Sequence, residues 1–464
     1  MIYTGGVRLS KRTCVQFIPV VLVLLLAIPV LSGPAAAFGQ EEAPVRRLSP
    51  DEAVDLAIKN NLSLESSRIG TDTKRRNSQM SWNQFIPGAV VNGGVSRDNK
   101  KDEASLLNPD PSQWHMNGSF SLSLDINAAM FENMRRLKLD YQAGLISFEK
   151  AKIQLERDIR VTYYDLLLLR ENIGILQDSF ATAQRQVEMS QENYRAGLVP
   201  ELTLLQARVS MENLKPAIDE GENNLRVLTA QFAMNLGLPY DTRFEFIETP
   251  KQIDFVSLDV KDLISKAASG KPEIRELRQQ MLVLDSTRRA KILSTYTPSF
   301  SMSWDTAAAF NRNPWEDSWS NSNNWNHSGS LRLGLSFKLD SLIPFSINAQ
   351  GVKDLTDQQR AAAVGLAQAI QGTEVEIYNT VLSLEKTRIT LEAQKLTEDL
   401  AERTYRLTEE AYRAGLREFL EVQNAELELR KARLGVQTQN FNYLTDLIKL
   451  EYAIGVPFGT LSVK

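Results

Sequence analysis

The apolar positions of this 464-residue chain change their period twice, in the same order each time. Ala53, Leu56, Ala57 and Ile58 form a helical stripe, with Ser49 or Asp51 placed to cap it around Pro50. Asp262 to Ala268 repeats the stripe, and Ala57 falls on Ala267. Both helices are expected to run on to a proline, Pro87 and Pro298. Beyond each proline the period drops to two. Phe120, Leu122, Leu124 and Ile126 alternate with Ser121, Ser123 and Asp125. Phe300, Met302, Trp304, Thr306, Ala308 and Phe310 share one face, against Ser301, Ser303 and Asp305. Leu331, Leu333, Leu335, Phe337 and Leu339 oppose Arg332, Gly334, Ser336, Lys338 and Asp340, while Ala89 to Val95 is a glycine-broken version. Strands of about ten residues, apolar outside and polar inside, carry the transmembrane-barrel pattern. Charges such as Arg332, Lys338 and Asp340 suit a water-filled lumen better than a soluble sandwich.

After the strands the period returns to that of helices, over about 131–196 and 353–414. Sixty-odd residues at ~1.5 Å each span roughly 100 Å, much too long for a globular domain. Each run ends in the same five letters: Tyr194-Arg195-Ala196-Gly197-Leu198 returns as Tyr412-Arg413-Ala414-Gly415-Leu416, 218 residues later. At that offset Ala207 falls on Ala425, Gly237 on Gly455 and Pro239 on Pro457, so the chain is one duplicated unit. A glycine closing a long periodic run, with a new run starting at once, marks a helical-hairpin tip. Past the tips, Leu204, Met211, Ile218, Leu225 and Phe232 recur every seven residues, as do Val422, Leu429, Val436, Tyr443 and Leu450. A second seam, Leu420, Leu427, Leu434, Phe441 and Ile448, implies neighbours on both sides of that helix. Pro216 and Asn223 interrupt the first copy, which predicts a looser or kinked helix there.

Composition changes the picture mainly at the N-terminus. Arg8, Lys11 and Arg12 precede an apolar run from Val15 to Leu31, and Ala35-Ala36-Ala37 offers a cleavage site, so 1–37 reads as a secretory signal. Residues 38–47 read as a flexible leader. The lone Cys14 would leave with the signal, excluding disulfide and thiol chemistry from the rest. Losing three basic residues moves the net charge from −4 to −7, which gives no electrostatic case for nucleic acid. Polar loops of roughly 99–113 and 311–326 join the strand pairs, and Trp315, Trp319 and Trp325 suit a membrane interface, with a carbohydrate platform as the lesser alternative. His115 and His327 each precede the second strand of a pair, but no carboxylate or thiol lies at ligand spacing, so no metal or other cofactor is expected. No phosphate loop, nucleophile elbow or metalloprotease motif is present, so no catalytic residue is assigned.

Four strands cannot close a barrel, which needs at least about eight, and open edges are forbidden in lipid. The chain must therefore oligomerise, and three copies supply twelve strands. The predicted class is an α+β membrane protein, internally duplicated. The first repeat is 38–250, with its β-hairpin at about 87–126 and helical tip at 194–201. The second is 251–464, with its hairpin at about 298–340 and tip at 412–419. The duplicated plan, Tyr-x-x-Gly followed by Leu-x-x-x-x-Ala, and the closing Leu-Gly-Leu-Pro and Ile-Gly-Val-Pro resemble the TolC-like outer-membrane efflux proteins. The resemblance covers the whole mature length. It implies a homotrimer in the bacterial outer membrane, a twelve-stranded barrel above a twelve-helix periplasmic tunnel, and a mixed equatorial belt near 237–260 and the C-terminus. It also implies a passive exit duct in efflux or type I secretion, with a periplasmic adaptor and an inner-membrane transporter as partners. The adaptor would meet Arg195, Ala196, Gly197, Leu198, Arg413, Ala414, Gly415 and Leu416. By the same resemblance Tyr412 and Arg417 form a tip gate, Thr203 stands where the partner is usually Asp, and Glu421 and Asn424 line the constriction. Three Glu421 carboxylates around a narrow mouth would repel one another and bind cations. Asn424 removes one ring of charge that the family usually has. A structural envelope-spanning tether with a membrane anchor is the alternative.

Overall fold

A computed structural model describes residues 46–99, 113–247, 259–310 and 312–461; the expected signal peptide, most of the leader and the first polar loop lie outside them. The first half runs β1 (Arg46–Leu48), α1 (Pro50–Asn60), α2 (Leu62–Gln79), β2 (Gly88–Arg97), β3 (Trp114–Asn127), α3 (Ala129–Arg195), α4 (Glu201–Glu212), α5 (Leu214–Asn235) and β4 (Phe244–Phe246). The second runs α6 (Val260–Gly270), α7 (Pro272–Tyr296), β5 (Ser299–Phe310), β6 (Trp325–Ser336), α8 (Ile347–Arg413) and α9 (Phe419–Ile454). Among the described residues no helix is long and apolar enough to cross a membrane.

Local chemistry sets the boundaries. Ser49 caps α1 in a reciprocal box with Glu52, and Pro50 occupies the first turn, where its missing N–H is harmless. The first helix of each half does not run unbroken to its proline. Asn61 turns extended and its side chain caps α2 through Leu64 N–H, at 3.0 Å. In the second half Pro272 forces Lys271 out of the helical region, and α7 starts afresh. The leader reading also needs correction at its end. Arg46–Leu48 is a strand paired in parallel with Phe244–Phe246, and Tyr163 Oη donates to the Leu48 carbonyl at 2.9 Å. Two long-range contacts therefore hold a segment whose own sequence carries no strand pattern.

The two long helices, α3 and α8, have 67 residues each and form the spine of the molecule. Against α3 pack α1, α2, α4, α5, α7 and α9; against α8 pack α6, α7 and α9. The hydrophobic core is duplicated along with the chain. Ile159, Leu166, Phe232 and Leu236 in one cluster correspond to Ile377, Leu384, Leu450 and Ile454 in the other. Each such side chain, fully buried, contributes about 1.5–3 kcal/mol. The return helix is whole in the second copy, whereas in the first it breaks at Asn213. Pro216 lies three residues on and cannot donate to the Glu212 carbonyl, which is the predicted kink.

Strands β2-β3-β5-β6 form one antiparallel sheet in that order, with β2 and β6 at its edges. Register puts Ala89, Leu122, Trp304 and Leu331 in one row and Ser121 opposite Asp305 in the next, so the polar and apolar faces continue across β3, β5 and β6, while β2 sets Val90 beside Ser121. The last strand stops at Ser336, short of the expected 340. Ser341 Oγ donates to the Lys338 carbonyl at 2.5 Å and Asp340 accepts from Asn348, which closes a short turn into α8. Lys338 and Asp340 therefore leave the polar row, and Arg332 keeps its place there, 3.6 Å from Asp305.

Four duplicated glycines divide into two kinds. Gly197 and Gly415 cap the long helices at φ 73° and 72° with open space around them. Gly237 and Gly455 cap the return helices at φ 69° and 70°, but a Cβ there would lie 2.3 Å from the Asn60 carbonyl oxygen or the Gly270 carbonyl carbon. Gly197→Ala should thus cost about 1 kcal/mol and Gly455→Ala roughly 2–4 kcal/mol, read by denaturant unfolding. Equal losses would mean that the close approach at the belt is not tight.

Candidate functional site: the helical tips and the polar sheet face

Both long helices end in the same hydrogen-bonded cap. Gly197 N–H donates to the Tyr194 carbonyl at 2.9 Å and Leu198 N–H to Asn193 at 2.8 Å; Gly415 and Leu416 repeat this onto Tyr412 and Ala411, both at 2.9 Å. This cap usually tucks its following apolar residue against the helix, but here Leu198 and Leu416 are 73% and 77% exposed. Leu202 and Leu420, one turn later and also 218 apart, are exposed too. They extend the apolar patch that sequence reasoning placed at Leu198 and Leu416. Ala196 and Ala414 are exposed beside them, while Arg195 pairs with Glu192 at 3.0 Å and Arg413 with Glu409 at 2.6 Å. The two tips face one cleft of about 760 Å³, bordered by Leu198, Leu202 and Thr203 on one side and Arg413, Arg417 and Leu420 on the other.

The second tip is braced where the first is not. Tyr412 packs its ring on buried Phe419, with centroids 5.7 Å apart; at the corresponding places the first tip has exposed Tyr194 and Glu201. Sequence reasoning missed Phe419, although an aromatic seven residues past the tyrosine, across a tight turn, is a readable signal. The Tyr412 hydroxyl is buried with no hydrogen-bond partner. An orphaned buried hydroxyl costs about 1–3 kcal/mol. Arg417 is bound to Glu421 at 2.7 Å, one turn along. The residues expected as gate and as constriction, Arg417 and Glu421, thus pair on one segment, whereas Thr203 stands across the cleft and Asn424 is exposed. Two turns up α8, a smaller cleft of about 250 Å³ gathers Asp178, Tyr405, Arg406, Glu409, Glu426 and Arg430. Burial, then the Glu409 charge, push the Tyr405 phenol above its ordinary pKa.

On the sheet, Ser121, Ser123, Asp125, Ser301, Ser303, Asp305 and Arg332 line one face, and Phe120, Leu122, Leu124, Ile126, Phe300, Met302, Trp304, Leu331, Leu333 and Leu335 the other. The histidines that looked equivalent lie on opposite faces: His115 on the polar one, His327 on the apolar one beside Ala308. Spacing also hid a carboxylate. Asp98 reaches His115 Nε2 across the hairpin at 2.9 Å. No group of three metal-ligating side chains occurs among the described residues.

A family model described as outer membrane efflux protein matches residues 53–231 and 263–456. The chain belongs to this family. The match falls into two blocks, one per half. A search of curated proteins finds no match. Among solved structures, the channel-forming protein CusC superposes with a TM-score of 0.70 at 16% identity, covering 88% of this chain and 92% of that one. The CmeC outer membrane channel of Campylobacter jejuni gives 0.72 at 16%, covering 88% and 85%. The outer membrane protein VceC of Vibrio cholerae gives 0.68 at 14%, covering 88% and 96%. Identities this low establish a shared fold alone. This outer membrane efflux protein thus shares the TolC-like fold, a four-stranded sheet carried on a large helical portion.

The tip geometry separates packing from charge. In this efflux protein Phe419→Ala should cost about 3 kcal/mol, the usual range for a buried aromatic. Glu421→Ala should cost no more than about 0.5 kcal/mol, since an exposed pair one turn apart contributes little. Unfolding free energies of the two variants check this, and a large loss from Glu421→Ala would show that the pair is structural.

Proposed function

We propose that this efflux protein is the outer-membrane exit duct of a tripartite efflux or type I secretion system, conducting cargo passively. The carrying observation is the four-stranded sheet with one polar face and two unpaired edges, set on two 67-residue helices. Three copies joined edge to edge close a twelve-stranded barrel with the polar face inward, and the helices of the three chains wall a periplasmic tunnel. Exposed apolar seams supply the contacts between copies: Val375, Leu382, Ile389 and Leu396 recur every seven residues along α8 and are exposed in the single chain. Leu420 at the tip end of the second seam of α9 is likewise exposed.

The unit of construction is the repeat, 38–250 and 251–464, delivered behind a cleaved signal of 1–37. The leucines and alanines around Gly197 and Gly415, with Arg195 and Arg413, dock the hairpin of a periplasmic adaptor, which links the duct to an inner-membrane transporter that supplies the energy. Tyr412 and Arg417 form the gate, with Thr203 across the cleft. Closing exchanges the Arg417–Glu421 pair and the unsatisfied Tyr412 hydroxyl for partners on a neighbouring helix, and opening releases them. Glu421 from three chains forms the charged constriction, and Asn424 adds a neutral ring below it. No step of this work is enzymatic. A tether with a membrane anchor would use the same helices, but it gains nothing from Arg332 and Asp305 paired on an inward face.

Native mass in mild detergent tests the architecture: three chains are expected, and a stable monomer with intact strands contradicts it. Neighbouring residues on β3 supply the control. Leu122→Lys puts a cation toward lipid, at roughly 2–4 kcal/mol near the midplane, and should disperse the trimer. Ser121→Lys faces the lumen opposite Asp305 and should leave it intact. Equal effects would mean that the faces are assigned the wrong way round.

A further inference from the structure

The loop between β5 and β6 does not rise freely from the sheet. Phe310 belongs to the apolar face, in a row with Met116 and Trp325, and is only 1% exposed because Trp319 and Trp325 cover it at ring distances of 6.3 and 5.1 Å. Trp315 reaches further across the same face and sets its ring edge-on to Trp114 of β3, 6.0 Å away. Arg97 of β2 lies 5.6 Å over the far side of that contact, on the Trp114 ring. The loop therefore folds back over three strands on the side that carries Leu122, Met302 and Leu333, and not over the polar face.

Its indoles are held in place. Trp319 Nε1 donates to the Pro314 carbonyl at 2.6 Å and Trp325 Nε1 to the Trp319 carbonyl at 2.9 Å. Asn313 accepts from Trp315 N–H, and the Asn324 amide bonds the Ser318 carbonyl. Even so, Trp315 is 69% and Trp319 54% exposed. Large rings fixed outward amid asparagines and serines fit neither a core nor a plain aqueous loop. Their height is informative. From Ile126, in the lowest apolar row with Phe300 and Leu335, to Met116 in the Phe310 row is ten residues along β3. At ~3.3 Å per residue and a tilt of about 40°, that rise is roughly 25 Å, the height of the apolar band of an outer-membrane barrel.

We propose that residues 312–325 form a collar on the outside of the barrel, lying in the headgroup region of the outer leaflet and fixing the depth at which the duct sits. Its partner is the lipid surface. Trp315 and Trp319 enter the boundary between headgroups and acyl chains, Arg97 meets headgroup phosphate, and the asparagines and serines stay hydrated. The proposal rests on the barrel reading above for which face is outward.

Depth-dependent fluorescence quenching of the full-length protein in phosphatidylcholine vesicles tests it. The vesicles contain lipid brominated either near the headgroup or deep in the chain. Shallow bromines should quench the parent, and Trp315→Phe/Trp319→Phe should lose the part of that quenched emission that Trp114 and Trp325, at the same height on the same face, do not supply. Trp304, on the same face inside the apolar band, is the reference, and Trp304→Phe should lose emission quenched by deep bromines. If Trp304 is quenched while Trp315 and Trp319 respond only to aqueous iodide, as a free saccharide platform would, the collar is wrong and the barrel stands. If Trp304 is not quenched by lipid either, the barrel reading itself fails. Single Trp315→Phe and Trp319→Phe variants keep the test decisive should the double variant insert poorly.

Discussion

Backbone hydrogen bonds cannot be left open in hydrocarbon, and most of this molecule follows from that constraint. Four strands per chain leave a row of unpaired N–H and C=O groups along β2 and another along β6. In water such edges are a hazard that charge or a bulge can blunt; in lipid each open group costs several kcal/mol. In the proposed trimer the remedy comes from other copies. That assembly also gives a purpose to the exposed seam of Val375, Leu382, Ile389 and Leu396 on α8 and to a tip whose Tyr412 hydroxyl is buried without a partner.

Duplication lets one solution serve twice, with a difference at the working end. The packing of the helix ends is copied closely: Gly237 on Asn60 and Gly455 on Gly270 press the same two helix ends together, and Ile159, Leu166, Phe232 and Leu236 have buried counterparts at the same offset. Farther from these ends the copies diverge. The first return helix breaks at Asn213 while the second runs whole, and the first tip lacks the Tyr412–Phe419 contact and the Arg417–Glu421 pair. Rigid, similar parts sit where the chain must pack. Dissimilar parts sit at the helical tips.

Periodicity carried most of the fold. Strands of period two and helices of heptad period are long-range regularities: Leu331 to Leu335 keep one sheet face throughout, and Val422 to Leu450 are buried at every seventh residue. What stayed hidden depends on contacts between distant residues or on one local bond. Strand β1 exists because Phe244–Phe246 is there to pair with it. The breaks at Asn61 and Lys271 turn on a side-chain cap and on the residue before a proline. The alternation through Lys338 and Asp340 continues in the letters but not in the strand, since the Ser341 bond closes a turn first. At the tips, the glycine caps and the exposed leucines could be read from the repeated pentapeptide. The Arg417–Glu421 pairing could not, because the family pattern pointed Arg417 at another helix.

The central claim is that three edge-paired copies enclose one continuous water-filled passage. Single-channel recording of the purified protein in a planar lipid bilayer tests it most directly. Insertion should produce uniform, discrete conductance steps, one per trimer. Trimers shown to be inserted in the bilayer yet giving no steps would contradict the duct and leave a tether in its place.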